Sequence, residues 1–291
     1  MRHFRLTRAA LFLAAFLLLP PQWSCAQEAY QIRRDVVYGH KAGMALTFDV
    51  VTPAEPNGAG VLFLVSGGWV SVWFPVEAIV RPEPPTPNQC ERLLAAGFTL
   101  FIVRHGSSPY FKVPDAVADV RRAVRTIRHQ AGEFGIDPER IGVCGASAGG
   151  HLSLMLGTTA DAGNAESSDP VEQTSDKVQA VVAYFPPTKI DEFFELKDRF
   201  PALQFNPDLA GDVSPLLHVS EDDAPTLLVH GDQDELVPLS NSERIFQAFQ
   251  SNSVPSKLIV IEGAAHSFQG ENEERAHSAL VDWFNQHLRA R

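Results

Sequence analysis

The strongest chemical signal in this sequence is a serine enclosed by glycine and alanine residues. Ser147 lies at the centre of Gly145-Ala146-Ser147-Ala148-Gly149, directly after the apolar run 141–144 and before a predicted helix. This G-x-S-x-G pattern is typical of a sharp turn between a strand and a helix, from which the serine hydroxyl projects. We therefore interpret Ser147 as a nucleophile that can attack a carbonyl carbon and hold the acyl group covalently.

Two loops downstream of Ser147 carry the residues that could activate it. A serine hydroxyl needs a general base, and the base needs an acid that orients it. His266 and the pair Asp232 and Asp234 each follow a short apolar run, so they are expected at the carboxyl ends of strands. We predict His266 as the base and Asp234 as the acid. From the residues alone, Asp232 is the alternative acid, or else a brace of its own turn.

Two backbone segments could stabilise the negative charge that forms when a carbonyl is attacked. Amide donors are needed where this oxyanion develops. One comes from the residue after the nucleophile, Ala148, and another from the loop after the third strand. That loop contains Ser66-Gly67-Gly68-Trp69, and its glycines allow the amides to turn into the cleft. We predict the amides of Gly67, Gly68 and Ala148 as the oxyanion hole.

Apolar residues that follow this loop are candidates for substrate contacts. Trp69, Trp73 and Phe74 lie in a connection that is unusually apolar for a loop, so they could form the wall of an acyl or aryl pocket. The alternative is that they pack under the proline-rich stretch 81–87. Both interpretations stay open at the level of the sequence.

The remaining histidines and carboxylates suggest no metal or cofactor. His151, one turn into the helix after the nucleophile, is expected to point away from the site. His105 ends a predicted strand and could reach the cleft, although a structural role is favoured. No cluster of His, Cys and carboxylates has metal-ligand spacing, and no glycine loop is built to hold a phosphate. We infer no cofactor.

The elements that must position these residues alternate between strand and helix from residue 31 onward. Apolar runs without alternation are typical of strands buried on both faces, and strands that alternate with helices imply a mostly parallel sheet. Asp115–Ala131 carries one apolar stripe, as expected for a helix on such a sheet. The stretch 161–177 is predicted as a long loop, and 189–222 as a small lid. The predicted strands are 32–38, 44–51, 61–65, 98–103, 141–144, 178–185, 226–230 and 257–261, and two further helices are 240–249 and 273–288.

Charge and the N-terminal residues indicate the class of protein and its location. A formal charge of −11 argues against nucleic-acid binding. Residues 1–26 combine three arginines, an apolar run too short to span a bilayer and a small-residue site, which predicts a signal peptide and a secreted or periplasmic protein. Lipid attachment at Cys25 is the less favoured alternative. Residues 27–291 then form a single domain, in which Cys90 and Cys144 are expected as buried free thiols.

Three segments resemble the secreted esterases grouped as bifunctional feruloyl- and acetyl-xylan-esterase-like, which are related to hormone-sensitive lipase. They are Asp137–Leu152, Ser214–Pro238 and Lys257–Phe268, with the strings GASAGGH, HGDQDELVP and EGAAHSF. The resemblance implies an α/β-hydrolase fold with a mostly parallel eight-stranded sheet flanked by helices. It also implies that Ser147, Asp234 and His266 form the catalytic triad, which settles the choice of acid. Relatives usually carry His-Gly-Gly-Gly-Trp where this chain has Val-Ser-Gly-Gly-Trp at 65–69.

The function expected from these features is a serine carboxylesterase that acts on small acyl esters through an acyl-enzyme. Its substrate would be a small-molecule or polysaccharide ester, such as an acetyl or feruloyl ester of plant polysaccharide. Two alternatives stay open. One is a peptidase related to prolyl oligopeptidase, which shares the HGDxDxxVP string, and the other is a non-catalytic binding protein on the same scaffold, for which the altered oxyanion loop is the only support.

Overall fold

A computed structural model describes residues 30–80 and 88–290 of the 291-residue chain. The predicted signal peptide at 1–26, Cys25 and the proline-rich stretch 81–87 lie outside the described residues. Within those residues, no helix combines the length and apolar character that crossing a membrane requires.

The described residues contain one eight-stranded sheet, in the order β1-β2-β4-β3-β5-β6-β7-β8. The first two strands form an antiparallel hairpin, β2 pairs antiparallel with β4, and all other pairs are parallel. The predicted α/β-hydrolase fold is thereby confirmed, and all predicted strands are present with ends that differ by a few residues. The strands are β1 (Tyr30–Lys41), β2 (Met44–Pro53), β3 (Gly60–Val65), β4 (Thr99–Arg104), β5 (Ile141–Ala146), β6 (Ala180–Tyr184), β7 (Thr226–Gly231) and β8 (Ser256–Ile261).

Helices cover both faces of the sheet and bury its strands. Apolar side chains of α3, α5 and α6 pack on one face, and those of α2 and α7 pack on the other. Leu62 and Leu64 face the first core while Val61 and Val65 face the second, which explains why β3 is a continuous apolar run. The helices are α1 (Glu77–Val80), α2 (Gln89–Ala95), α3 (Val113–His129), α4 (Ala131–Phe134), α5 (Ala148–Thr158), α6 (Ser240–Ser251) and α7 (Glu271–His287).

Helix α3 begins two residues earlier than the sequence predicted. Asp115 is the third residue of the helix, and its Oδ2 accepts the amide of Lys112 at 2.9 Å. A carboxylate at this position satisfies an amide that would otherwise lack a partner, so the helix starts at Val113. Pro114 fits the first turn because its missing amide is not needed there.

Two long excursions leave the sheet on either side of β6. Residues 161–177 form a loop whose Asp176 is fully buried beside the guanidinium groups of Arg121 and Arg125. Residues 190–217, inside the predicted lid, form short 3-10 turns. A lid function for this segment stays a prediction, but its Phe200 packs directly on Gly68 of the loop after β3.

The two cysteines of the described chain are free thiols buried in the same core cluster. Cys90 lies in α2 and Cys144 in β5, and both are buried free thiols as the sequence predicted. Burial raises the pKa of both thiols because it disfavours the thiolate. Neither thiol is therefore available as a nucleophile at neutral pH.

Candidate active site

Ser147 occupies a strained turn between β5 and α5. Its backbone angles are φ 54° and ψ −118°, a region that residues with a side chain rarely adopt. The turn also has no space for a side chain at the two glycines of the motif. A Cβ at Gly145 would lie 2.5 Å from the Gly149 backbone, and a Cβ at Gly149 would lie 2.8 Å from the Leu64 carbonyl oxygen. The glycines of the motif therefore let strand and helix approach closely, while the Ser147 amide donates to the Tyr184 carbonyl at 2.9 Å.

His266 links Ser147 to Asp234 by two hydrogen bonds. Its Nε2 lies 2.9 Å from Ser147 Oγ, and its Nδ1 lies 2.6 Å from Asp234 Oδ2. Because an ionised carboxylate can only accept, Nδ1 carries the proton, and Nε2 is free to accept the serine hydroxyl proton. The side chain of His266 is 22% exposed, whereas that of Asp234 is fully buried. The site is thus open to solvent on the side of the imidazole.

The carboxylate of Asp234 is held in place by several donors. Its Oδ1 accepts the amides of Leu236 at 3.0 Å and Val237 at 2.9 Å. Its Oδ2 receives a second imidazole, since His230 Nε2 lies 3.3 Å away. Burial by itself raises the pKa of Asp234, but the hydrogen bonds from His230, His266 and the Val237 amide outweigh burial and hold the pKa well below its ordinary value. Asp234 is therefore a stable carboxylate opposite His266.

His230 belongs to this arrangement, although no sequence motif predicted it. His230 is fully buried, and its Nδ1 lies 2.7 Å from Ser242 Oγ. Its Nε2 lies 2.8 Å from the Val237 carbonyl, which requires a proton on Nε2. The same N–H group points toward Asp234. The only signal in the sequence was the position of His230 at the end of β7, four residues before the acid.

Asp232, the alternative acid, lies elsewhere in the same loop. It is exposed, and its Oδ1 accepts the amide of Gly263 at 2.7 Å. This bond ties the loop after β7 to the loop that carries His266. The chain backbones approach so closely here that a Cβ at Gly231 would lie 2.1 Å from the Ala264 carbonyl oxygen. The structure thus brings Asp234 to His266 and leaves Asp232 as the brace between the two loops.

The loop after β3 differs from the prediction at Gly67. Gly67 and Val70 exchange both backbone hydrogen bonds, each 3.0 Å long, and the two residues between them have positive φ values of 55° at Gly68 and 57° at Trp69. This is the geometry of a tight two-residue turn. Because the Gly67 amide already donates to Val70, its predicted role as an oxyanion donor is wrong. Among the described residues, the amides of Gly68, Trp69 and Ala148 have no acceptor.

Trp69, Trp73 and Phe74, the predicted pocket residues, lie in three different environments. The Trp69 side chain is only 4% exposed, and its Nε1 lies 3.2 Å from His151 Nδ1, so its indole is an anchor within the core rather than an open pocket wall. Trp73 is 63% exposed, and Phe74 is half-buried against the core beside α2 and α7. Substrate contacts for Trp73 and Phe74 stay predictions.

His151 has the structural role that was expected of it. It is fully buried, and its Nε2 lies 2.7 Å from the Val213 carbonyl, while Nδ1 accepts from Trp69. Burial lowers its pKa to about 4, so the imidazole is neutral at neutral pH. His151 therefore stabilises the turn that contains Trp69 through its hydrogen bond with the indole. The hydrogen bond of Ser147 Oγ is to His266 instead.

Aromatic side chains from three separate segments flank the site. The ring of Phe185, which follows β6, lies 4.5 Å from the His266 ring and 5.3 Å from the Phe268 ring. Phe200 lies against Gly68: a Cβ at that glycine would be 2.7 Å from the phenyl ring. These contacts join residues far apart in the chain, so the sequence pattern did not reveal them.

No candidate metal centre was found in residues 30–80 and 88–290, where no three His, Cys, Asp or Glu side chains lie close enough together to hold an ion. The site combines the Ser147 hydroxyl, the His266 imidazole, the Asp234 carboxylate and backbone amides. This set can supply a nucleophile, a proton acceptor and donors for a developing oxyanion.

The sequence of this chain is similar to those of known esterases. The esterase LipC of Mycobacterium tuberculosis is 26% identical over 255 residues, which are 82% of this chain and 60% of LipC. The chain therefore spans about three fifths of the length of this relative.

Solved structures share the fold over nearly the whole described chain. The propionate-bound esterase 2 of Thermogutta terrifontis is 26% identical with a TM-score of 0.69, covering 89% of this chain and 94% of that one. An acetyl ester-xyloside bifunctional hydrolase from Caldicellulosiruptor lactoaceticus is 24% identical with a TM-score of 0.73. The match covers 87% of this chain and 95% of that one.

The sequence profile of the BD-FAE family matches residues 49–249, which include the Ser147 turn and Asp234. This match covers well over half of the chain. It confirms the resemblance to feruloyl- and acetyl-xylan-esterase-like proteins that was based on three sequence segments. The chain belongs to the BD-FAE family.

Proposed function

We propose that this chain is a serine carboxylesterase in which Ser147 is the nucleophile, His266 the general base and Asp234 the acid that orients it. The observation that carries the proposal is the continuous hydrogen-bonded path from Ser147 Oγ through His266 to Asp234. Three unoccupied amides in the described residues lie in the two segments next to it. The names of relatives such as LipC support the same reaction class.

The reaction would proceed by acylation and deacylation. Ser147 Oγ attacks the ester carbonyl carbon while His266 Nε2 takes the hydroxyl proton, and the carbonyl oxygen becomes an oxyanion that accepts hydrogen bonds from the free amides. His266 then returns the proton to the alcohol oxygen as its bond to the acyl carbon breaks. A water molecule attacks the acyl-enzyme by the same route, releasing the carboxylic acid and restoring Ser147.

Asp234 would act without changing its own protonation state. Its depressed pKa keeps it ionised, so it stabilises the imidazolium form of His266 that arises in each step. The bonds from Leu236, Val237 and His230 hold the carboxylate in one orientation. His266 is thereby kept in the tautomer that presents a lone pair to Ser147.

We propose small acyl esters as the substrates, including acetyl or feruloyl esters of plant polysaccharide. Phe185 beside His266 and Phe200 on Gly68 place aromatic rings on two sides of the site, which favours short or planar acyl groups. The propionate complex of the Thermogutta terrifontis relative is consistent with a short acyl group. The exposed ring of Trp73 offers a surface for the alcohol part of a larger ester.

A panel of substrates tests the reaction and the acyl preference together. It contains p-nitrophenyl esters from acetate to decanoate, methyl ferulate, acetylated xylan and a proline p-nitroanilide peptide. We expect hydrolysis of the acetate and propionate esters, with activity decreasing as the acyl chain lengthens. Cleavage of the peptide without cleavage of the esters would support a peptidase instead, and no turnover of any substrate would support a binding protein.

We further propose that the chain is exported, on the basis of its arginines and apolar run before residue 27. Signal peptidase would then release a protein that starts at Gln27. N-terminal sequencing of the protein from the extracellular or periplasmic fraction tests this. A start at Cys25 with a lipid attached would favour the lipoprotein alternative.

A further inference from the structure

Ser66 lies directly before the Gly67–Val70 turn and is fixed by bonds on two sides. Its Oγ lies 2.8 Å from Nε2 of His105, which follows the last residue of β4. Its carbonyl oxygen accepts the amide of Gly149 at 3.2 Å. Ser66 therefore connects the loop after β3 both to β4, through its side chain, and to the first turn of α5, through its backbone.

The geometry around His105 determines which partner donates. His105 Nδ1 lies 2.8 Å from the Gly106 carbonyl, an oxygen that can only accept, so Nδ1 carries the proton. Nε2 is then the acceptor, and the Ser66 hydroxyl donates to it. His105 is 4% exposed, and burial lowers its pKa, so the imidazole stays neutral and keeps this role.

His105 is held in its position by a second set of buried contacts. The amide of Gly106 donates to Asp119 Oδ2 at 2.8 Å, and Asp119 Oδ1 forms an ion pair with Lys41 Nζ at 2.5 Å. Asp119 is 4% exposed, so its ion pair is shielded from water on one side. The acceptor that faces Ser66 is thus held in place by buried contacts.

We propose that Ser66 is a positioning residue for the oxyanion hole. Its hydroxyl, bound to His105, sets the orientation of the turn that carries the amides of Gly68 and Trp69. This inference rests on the proposed esterase function. Because Ser66 is also bonded to Gly149, a change in its orientation alters the distance between the turn and the start of α5, where the third amide lies.

The test compares Ser66→Ala with Ser66→Thr in the hydrolysis of p-nitrophenyl acetate. Loss of one whole oxyanion donor costs about 10²–10³ in kcat, and a turn that is only looser should cost less, about tenfold. We expect this loss in kcat with KM changed less than about twofold, because the oxyanion exists only after binding. Ser66→Thr keeps the hydroxyl and should restore most of kcat. Both variants should keep the cooperative unfolding transition of the wild type, with a slightly lower melting temperature for Ser66→Ala because His105 Nε2 loses its donor.

Ser71→Ala is the matched control, because Ser71 Oγ contacts the backbone amide of His105 at 3.3 Å instead of its ring. It should leave kcat close to the wild-type value. The double variant of Ser66→Ala and His105→Phe should lose no more kcat than the worse single variant, since both changes remove the same bond.

The possible results separate this inference from the proposed function. An unchanged kcat in Ser66→Ala, equal losses in Ser66→Ala and Ser71→Ala, or additive losses in the double variant would overturn the positioning role while the esterase function stands. A wild-type protein without hydrolytic activity would overturn both.

Discussion

Asp234 and His266 are 32 residues apart in the chain, yet Asp234 Oδ2 and His266 Nδ1 lie 2.6 Å apart. Their two loops follow neighbouring parallel strands, β7 and β8, so both loops lie at the same edge of the sheet. Asp232 pins one loop to the other through the Gly263 amide. The proximity of acid and base is therefore a consequence of strand pairing and of one short hydrogen bond beside it.

Replacing Ser147, the proposed nucleophile, should abolish turnover and leave the fold intact. Ser147→Ala removes only a hydroxyl from a half-buried position, so the melting temperature should stay close to that of the wild type. The value of kcat should fall by several orders of magnitude, because Ser147, His266 and Asp234 act as one unit and the loss of one member removes the function of all three. Labelling with a fluorophosphonate probe should disappear in the same variant. Labelling that persists would show that another residue is the nucleophile.

The two aspartates of the loop after β7 should respond differently to the same change. Asp234→Asn should lower kcat by a factor on the order of 10⁴, because the amide favours the wrong tautomer of His266. Asp232→Asn keeps an oxygen that can accept from Gly263, so it should lower the melting temperature slightly and kcat by much less. Steady-state kinetics and thermal melting of the two variants check this. A larger kcat loss in Asp232→Asn would contradict the assignment.

His277 should make stability depend on pH in the mildly acid range. Burial, with Arg92 nearby, lowers its pKa to about 4 despite the opposing effect of Glu274. Between about pH 6.5 and pH 4, the unfolded chain binds a proton that the folded chain does not, so the free energy of unfolding falls as pH falls through this window. In His277→Gln, the free energy of unfolding should fall less between about pH 6.5 and pH 4 than in the wild type, by at most about 3 kcal/mol. Chemical denaturation at several pH values measures it.

An exposed histidine provides the control for this pH effect. His40 is solvent-exposed at the end of β1, so its surroundings change little on unfolding. His40→Gln should therefore reproduce the wild-type dependence of stability on pH. If His277→Gln and His40→Gln give the same curve, burial of His277 does not contribute to acid sensitivity.

Removing the ring that lies on Gly68 should widen the acyl preference. We compare kcat/KM for p-nitrophenyl octanoate with kcat/KM for p-nitrophenyl acetate. Phe200→Ala should raise the ratio of the first to the second by about tenfold, because removing the phenyl ring leaves room for a longer acyl chain in an apolar pocket. Phe205→Ala removes a ring of the same segment that packs on Phe194 instead, and it should leave the ratio unchanged. The same ratio in wild type and Phe200→Ala would show that Phe200 does not limit the acyl group.

The exposed Trp73 should matter for large substrates only. Apolar side chains that remain exposed near a cleft often contact a ligand, and Trp73 lies four residues beyond the Trp69 turn. Trp73→Ala should raise KM for acetylated xylan and leave the kinetics with p-nitrophenyl acetate unchanged, whereas Trp73→Phe should retain most of the affinity for xylan. Equal effects on both substrates would instead indicate that Trp73 supports the loop.

Local patterns in the sequence predicted the mostly parallel sheet, Ser147 and His266, and the family resemblance decided between Asp234 and Asp232. Strands buried on both faces must be apolar throughout, and the tight turn at Ser147 tolerates only glycine at positions 145 and 149. Ser147, Asp234 and His266 lie one, three and five residues after the ends of β5, β7 and β8. Parallel strands bring their carboxyl ends to one edge of the sheet. The glycine requirement and the position of each residue after its strand depend on residues that are close in the chain. Both can therefore be predicted from the sequence.

Tertiary structure decided which groups remain free to act. The Gly67 amide is occupied because Gly67 and Val70 close a turn, and that pairing depends on the backbone angles of Gly68 and Trp69, which their residue types do not specify. The contact between Ser66 and His105 joins residues 39 apart, each directly after one of two strands that become neighbours only when the sheet forms. Side-chain contacts of this kind depend on distances that the order of residues does not encode, so only the folded chain revealed them.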